Sequence, residues 1–204
     1  MRLYTEADPA PNPRRVRLFL AEKGVEIEEV HVPLRERAHK SPEHLARNPT
    51  GQVPTLELDD GRFLSETVSI CRYLESLHPE PPMFGRNALE QALVDQWIRR
   101  VELQLMTPVA MYWRHAHPLT AKLLTQFTDF GQSNVETVRR VMLWFDRQLE
   151  GRTYLATADF TMADICLLTT IDFAGWIGLE TPNEAANIKA WRERCVNRPA
   201  LAEA

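Results

Sequence analysis

The residues of this chain best placed to do chemistry fall in one stretch, from Asn48 to Thr67, reading NPTGQVPTLELDDGRFLSET. Val53 precedes Pro54, and an X-Pro bond is the kind of peptide bond for which the cis form costs little. A cis bond there would turn the N–H and C=O of Val53 outward, two backbone groups for an extended peptide to meet. Glu66 and Thr67 open an apolar-periodic run of Val68, Ile70, Cys71, Tyr73, Leu74 and Leu77. The start of such a helix carries free N–H groups and a partial positive charge, which suits a small carboxylate. The expected chemistry is therefore recognition of a short, acidic, peptide-like molecule.

The surrounding pattern supplies elements to hold those groups. Pro54 opens an alternating strand, Thr55-Leu56-Glu57-Leu58, and proline is tolerated at a strand's first position. Asp59-Asp60-Gly61 is a hairpin signal, with Phe63 and Leu64 as the return strand. Ser65 reads as the helix N-cap. Upstream, Leu3-Tyr4 is a short strand, followed by a proline-dense loop from Ala7 to Pro13. Asn12 reads as an N-cap with Pro13 at the first helical position. Val16, Phe19 and Leu20 mark the helix face, and Lys23-Gly24 closes it. Residues 27–32 alternate as a second strand, 35–40 form a charged loop, and 42–47 a short helix. The order is βαβαββα over residues 1–78.

Residues 79–86 read as a stiff linker around Pro79, Pro81 and Pro82. Residues 87–204 carry helical spacing only. Leu89, Leu93, Trp97, Val101 and Leu105 mark one long helix running to Trp113. Residues 119–130 read as helical with Gly131 as a break, and Val135 to Leu149 form the next stripe. Thr161 and Asp164 fit a capping box, with Phe160 and Ile165 at the staple positions. Ile188 to Cys195 make a last helix. The fold class is an α/β domain followed by an all-α domain.

Bulk properties narrow the class. The chain has 204 residues with a formal net charge of −4 and a hydrophobic content of 44%. An acidic balance argues against nucleic acid or an anionic membrane as partner. There is no long apolar run and no signal-peptide pattern at the start. Cys71, Cys166 and Cys195 are far apart and form neither a metal spacing nor a redox pair, which points to a reduced, cytoplasmic protein without a bound metal.

The string Gln52-Val53-Pro54 followed by Ser65-Glu66-Thr67 resembles the glutathione-binding motif of the cytosolic glutathione transferases. The resemblance implies a thioredoxin-like first domain. It implies that Val53, before a cis Pro54, meets the cysteinyl backbone of glutathione, and that Glu66 and Thr67 hold the γ-glutamyl end. It also implies main-chain bonding by Gln52, His39 or Lys40 at the glycyl carboxylate, and a homodimer. Met106, Met111, Tyr112 and Trp113 read as the electrophile pocket or as core.

Such an enzyme must hold glutathione as a thiolate. A cysteine thiol titrates near 8.5, and lowering that by about two units takes ~2.7 kcal/mol. A helix N-terminus supplies about 0.3–1 kcal/mol, ~2 at best, so an aimed donor is needed as well. Most classes use Tyr, Ser or Cys near the first helix, and residues 7–13 contain none of them. The pattern from Ala10 to Val16 resembles a fungal and bacterial subfamily that dispenses with that side chain. There the thiolate meets the first helix and a water held by the second domain. Asn12, through its amide or its N–H, and His115, after the long helix, are the matching catalytic candidates. The expectation is conjugation of glutathione to a small hydrophobic electrophile. A glutathione-dependent disulfide or peroxide reductase, or a non-catalytic binding module of the same fold, are the alternatives.

Overall fold

The computed structural model describes residues 1–7 and 9–201. Asp8, in the proline-dense loop, and the last three positions of the expected helical domain lie outside the described residues. Contacts divide the chain into two units, Met1–Met83 together with the segment that starts at Pro199, and Phe84–Arg198. The linker expected at 79–86 spans this division. The C-terminal turn Pro199–Leu201, expected with the helical domain, belongs instead to the first unit, where it packs on the first helix.

The first unit runs β1 (Arg2–Thr5), α1 (Pro11–Lys23), β2 (Glu28–His31), α2 (Pro42–Arg47), β3 (Thr55–Glu57), β4 (Phe63–Leu64) and α3 (Thr67–Leu77), with a short 3-10 turn at Ala38–Lys40. This is the βαβαββα order expected. The sheet order is β2-β1-β3-β4. β1 runs parallel to β2, with α1 as the crossover, and antiparallel to β3. Leu3 and Leu56 pair across β1 and β3 and are fully buried, as are Val16, Phe19, Ile70 and Cys71 of α1 and α3. The α1 and α3 helices pack on each other, so one apolar layer fixes both helix starts against one sheet.

Both helix starts differ from the sequence reading. α1 begins at Pro11, with Ala10 at the cap position and no side-chain cap. Asn12 is therefore a first-turn residue and not the N-cap, because Pro11 already has the helical φ and no N–H to lose. α3 has Glu66, not Ser65, at its cap position, at φ 67 and ψ 118 and with no side-chain bond. That is a costly conformation for a residue with a Cβ, of a kind that persists where its surroundings impose it.

The second unit is all helix: α4 (Ala88–Arg100), α5 (Thr107–His115), α6 (Thr128–Leu149), α7 (Met162–Trp176) and α8 (Ala186–Val196). A π-turn, Val101–Met106, joins α4 to α5 in one helical run. Pro108 has no N–H for the residue-104 carbonyl, and the Thr107 N–H reaches back five residues to Glu102, the widening a proline demands. Residues 118–127 are a 3-10 turn and loop, and of the helix expected at 119–130 only the last three residues are α-helical, as the first turn of α6. Gly131 does not break α6 but lies inside it. A Cβ there would sit 2.6 Å from the Ala116 Cβ, so the glycine lets α6 cross the end of α5. α7 is buried along ten consecutive residues, 162–171. Its Thr161–Asp164 capping box is complete, and Phe160 and Ile165 are buried beside it.

Candidate functional site

The cis-proline loop is built from α2 and the start of β3. The Val53–Pro54 bond is cis. Among the described residues nothing within the chain bonds the N–H or C=O of Val53. Both groups stand free for an extended ligand, although the Val53 side chain packs with Tyr4 and Val32. The hairpin ladder pairs Leu56 with Leu64 and Glu57 with Phe63. β3 begins and β4 ends at the same end of that ladder, so the proline loop and the start of α3 lie at one end of the hairpin.

At that start, Ile70 N–H is the first to bond within the helix, to Glu66 C=O at 2.9 Å. The N–H groups of Thr67, Val68 and Ser69 precede it and have no acceptor inside the helix. There is no acidic side chain in the first turn. Thr67 is only 7% exposed, and Glu66 reaches solvent. An uncapped, positively polarised helix end of three turns is thus presented next to two free backbone groups. Its chemistry is that of a carboxylate and peptide receptor.

His39 and Lys40 lie on the 3-10 turn next to the same loop. Lys40 Nζ donates to the carbonyls of Thr50 at 3.2 Å and Gly51 at 2.8 Å. Gly51 has φ 58, and a Cβ on it would come within 2.8 Å of Lys40 Nζ and 2.9 Å of the His39 carbonyl. Both the backbone angle and the space therefore require glycine there. Burial lowers the pKa of His39, helped by the neighbouring Lys40, His44 and Arg37, which favours its neutral form. Its Nδ1 is buried without a partner. Gln52 is exposed, with its side chain free and its carbonyl taken up within the fold.

Asn12, half-buried, occupies a distinctive place at the start of α1. Pro11 and Pro13 carry no N–H, and Arg14 N–H already bonds the Ala10 carbonyl at 3.3 Å. Of the first-turn donors, Asn12 N–H alone has no partner among the described residues, and the turn holds no acidic side chain. Tyr4, the nearest tyrosine in sequence, donates to Glu57 at 2.8 Å, and burial raises its pKa. It is a structural phenol.

His115 belongs to the second unit, at the last position of α5. Phe127 and Phe130 face its ring at 5.6 and 5.5 Å. Its Nδ1 is buried and has no partner among the described residues. The close crossing at Gly131 sets this arrangement, since the same absent Cβ would strike the His115 carbonyl carbon at 2.7 Å. Next to it, Trp113 stands among His117, Phe173 and Trp176, at 4.8, 5.6 and 5.6 Å between ring centres. Trp176 is 47% exposed, which makes this an aromatic wall with a solvent face. His117 instead accepts the Leu119 N–H at 3.3 Å. Met106 lies against Thr170 of α7, with Sδ at 3.9 Å.

Two buried residues of the loop were not singled out from sequence. His44 and Asn48 are each 2% exposed. His44 Nε2 donates to the Gln52 carbonyl at 2.9 Å and Asn48 Nδ2 donates to it at 3.0 Å. A buried polar pair a helical turn apart on a short helix was the available signal, but its partner is a backbone carbonyl. Among the described residues no cluster of His, Cys, Asp and Glu could hold a metal ion. No helix is long and apolar enough to cross a membrane.

Two family models match the chain. Residues 10–77 match the model of the glutathione S-transferase N-terminal domain, and residues 130–199 that of the C-terminal domain. Glutathione S-transferase 2 of Saccharomyces cerevisiae is 36% identical over 195 residues, covering 94% of this chain and 84% of its own. The crystal structure of Gtt2 from Saccharomyces cerevisiae superposes with a TM-score of 0.93 at 35% identity, over 100% of this chain and 99% of that one. A glutathione S-transferase of class Gtt2 from Vibrio parahaemolyticus matches at TM-score 0.84 and 32% identity, over 98% and 95% of the two chains.

Proposed function

The chain belongs to the glutathione S-transferase family, and we propose that it binds glutathione as the thiolate and conjugates it to a small hydrophobic electrophile. The observation that carries this is the cis Val53–Pro54 bond, with its free N–H and C=O, beside the uncapped start of α3. Val53 takes the cysteinyl backbone, and Glu66 and Thr67 with the α3 N–H groups take the γ-glutamyl end. Gln52, His39 and Lys40 attend the backbone and the glycyl carboxylate. His39 contributes as a neutral donor and Lys40 as the cation.

Asn12 is the proposed donor to the sulfur at α1. One N–H at a helix start is worth about 0.3–1 kcal/mol, ~2 at best, against the ~2.7 kcal/mol that two pKa units require. The remainder falls to the Asn12 amide and, as in the subfamily that residues 10–16 resemble, to a water held by His115. The thiol proton passes to solvent. The sulfur then forms a bond to the electrophilic carbon, and the leaving group departs with its electron pair. The aromatic wall of Trp113 and Trp176 suits an apolar acceptor. Three buried cysteines that form no disulfide fit a reducing cytoplasm, and a homodimer is part of this reading.

A glutathione-dependent disulfide or peroxide reductase is the second reading. No cysteine stands at the start of α1, and glutathione itself would supply the sulfur. Turnover of a mixed disulfide against a halo-aromatic separates the two. Binding without any turnover would point to a non-catalytic module.

The test is ultraviolet difference absorption of the bound thiolate, with titration, in the wild type, Asn12→Ala, Asn12→Pro and His115→Ala. Asn12→Pro deletes the Asn12 N–H at a position where the helix tolerates proline. A thiolate near neutral pH that weakens in Asn12→Pro places the sulfur at α1. Loss in His115→Ala alone assigns it to the held water. A wild type that binds no glutathione overturns the assignment.

A further inference from the structure

We infer that His44 and Asn48 are positioning residues for glutathione, acting through the Gln52 carbonyl to aim the N–H of Val53. The inference rests on the glutathione reading above and goes beyond it by naming what sets the receptor's geometry.

A trans peptide unit is planar, and its C=O and N–H point in opposite directions. Whatever holds the Gln52 carbonyl therefore also aims the Val53 N–H. Here that carbonyl is held from the α2 side by two buried donors, His44 Nε2 at 2.9 Å and Asn48 Nδ2 at 3.0 Å, with Thr55 Oγ1 further off at 3.4 Å. The Val53 N–H must then face away from α2, and nothing within the chain answers it. The cis bond that follows turns the Val53 carbonyl in its turn. The two free groups of the receptor thus depend on a peptide plane fixed from behind.

Asn48 does more than donate. Its Oδ1 accepts from Thr50 N–H at 3.2 Å and Thr50 Oγ1 at 2.8 Å, and its Nδ2 also donates to Thr55 Oγ1 at 3.2 Å. It ties the end of α2 to the start of β3, whose Thr55 is paired with Tyr4 in the sheet. His44 is the more telling residue. It is 2% exposed, and its Nδ1 is buried without a partner. Burying an unmatched ring nitrogen works against stability, so an apolar side chain would fill that place better if packing were its only task. Since a carbonyl only accepts, Nε2 carries a proton in this contact. A donor is retained at the expense of an unmatched Nδ1, and the donor's target is the loop that meets the ligand.

The experiment compares the full-length wild type with His44→Phe, which keeps a ring and removes the donor, and His44→Gln, whose amide restores it. Glutathione affinity is read by calorimetry, KM and kcat with 1-chloro-2,4-dinitrobenzene, and bound thiolate by ultraviolet absorption. His44→Phe is expected to weaken glutathione about tenfold, equal to ~1.4 kcal/mol. Its KM should rise accordingly, with kcat at saturation within about twofold and an unchanged thiolate titration, because α1 is untouched. His44→Gln should recover most of the affinity. Wild-type affinity in His44→Phe, no recovery in His44→Gln, or a fall in kcat at constant KM would each overturn the inference while leaving the glutathione reading intact. A wild type that does not bind glutathione fails that reading first, and this one with it. Should His44→Phe not fold, nitrogen NMR of the wild type decides. Nε2 of His44 must carry a proton, and the Val53 amide must shift on adding glutathione. An unprotonated Nε2 or an unmoved Val53 rejects the inference.

Discussion

The starts of α3 and α7 are built in opposite ways. At α7 the helix end is closed by its own chain. Asp164 is fully buried, and its Oδ2 accepts from the Thr161 N–H and hydroxyl, both at 3.0 Å. Its Oδ1 accepts from Leu155 N–H at 2.8 Å and Trp191 Nε1 at 3.0 Å. At α3 there is no cap, no first-turn carboxylate, and a cap-position residue in a conformation costly for a side chain. Two helices of comparable length thus face the same need to satisfy their end groups. One meets it internally and becomes a structural joint. The other leaves its donors open and forgoes the cap's stabilisation, which is what a receptor for a carboxylate requires.

Asp164→Ala attacks the closed end and carries the largest expected effect. It leaves Trp191 Nε1 and two backbone N–H groups buried without an acceptor, at about 1–3 kcal/mol each before relaxation. A net loss of about 4 kcal/mol is expected in urea unfolding, or failure to fold. Thr161→Ala should cost less, about 1–2 kcal/mol, with glutathione affinity per folded molecule unchanged. If affinity falls with it, the two helix ends are not independent and the contrast is lost.

Changes at the open end should move binding more than stability. Thr67→Val removes the hydroxyl and keeps the N–H. It is expected to weaken glutathione by roughly tenfold, ~1.4 kcal/mol, with a melting temperature near the wild type. Glu66→Gly relieves φ 67. Strain relief of about 1–3 kcal/mol is offset in part by the freer unfolded chain, and a gain of up to ~1 kcal/mol in stability is expected alongside weaker glutathione binding. A Glu66→Gly protein that is both more stable and binds as well as the wild type would show that the strained residue serves neither purpose.

Where the sequence was legible, the signal was local. The cis bond, the hairpin after Leu58 and the capping box each depend on residue types within a few positions of one another, and each appears in the structure as read. The same is true of the βαβαββα order. Helix starts were read less well. Asn12 and Ser65 have good cap chemistry, but Pro11 can begin a helix equally well, and Glu66 is held at the α3 cap position although its side chain makes no capping bond. Gly131 was expected to interrupt a helix. Its role lies in contact with Ala116, fifteen positions away in sequence, which no local rule reveals.

By itself the sequence determined the elements, their order and the groups offered to a ligand, because backbone preferences, periodicity and turn chemistry act over a few residues. The tertiary structure alone decided which donors remain open. It left Asn12 N–H as the one first-turn donor of α1 with no partner among the described residues, closed the end of α7 with a carboxylate bonded also from Leu155 and α8, and set His44 and Asn48 behind the Gln52 carbonyl. Hydrogen bonds between segments depend on where packing brings each group, and each buried group is satisfied or left open only once the chain has closed around it.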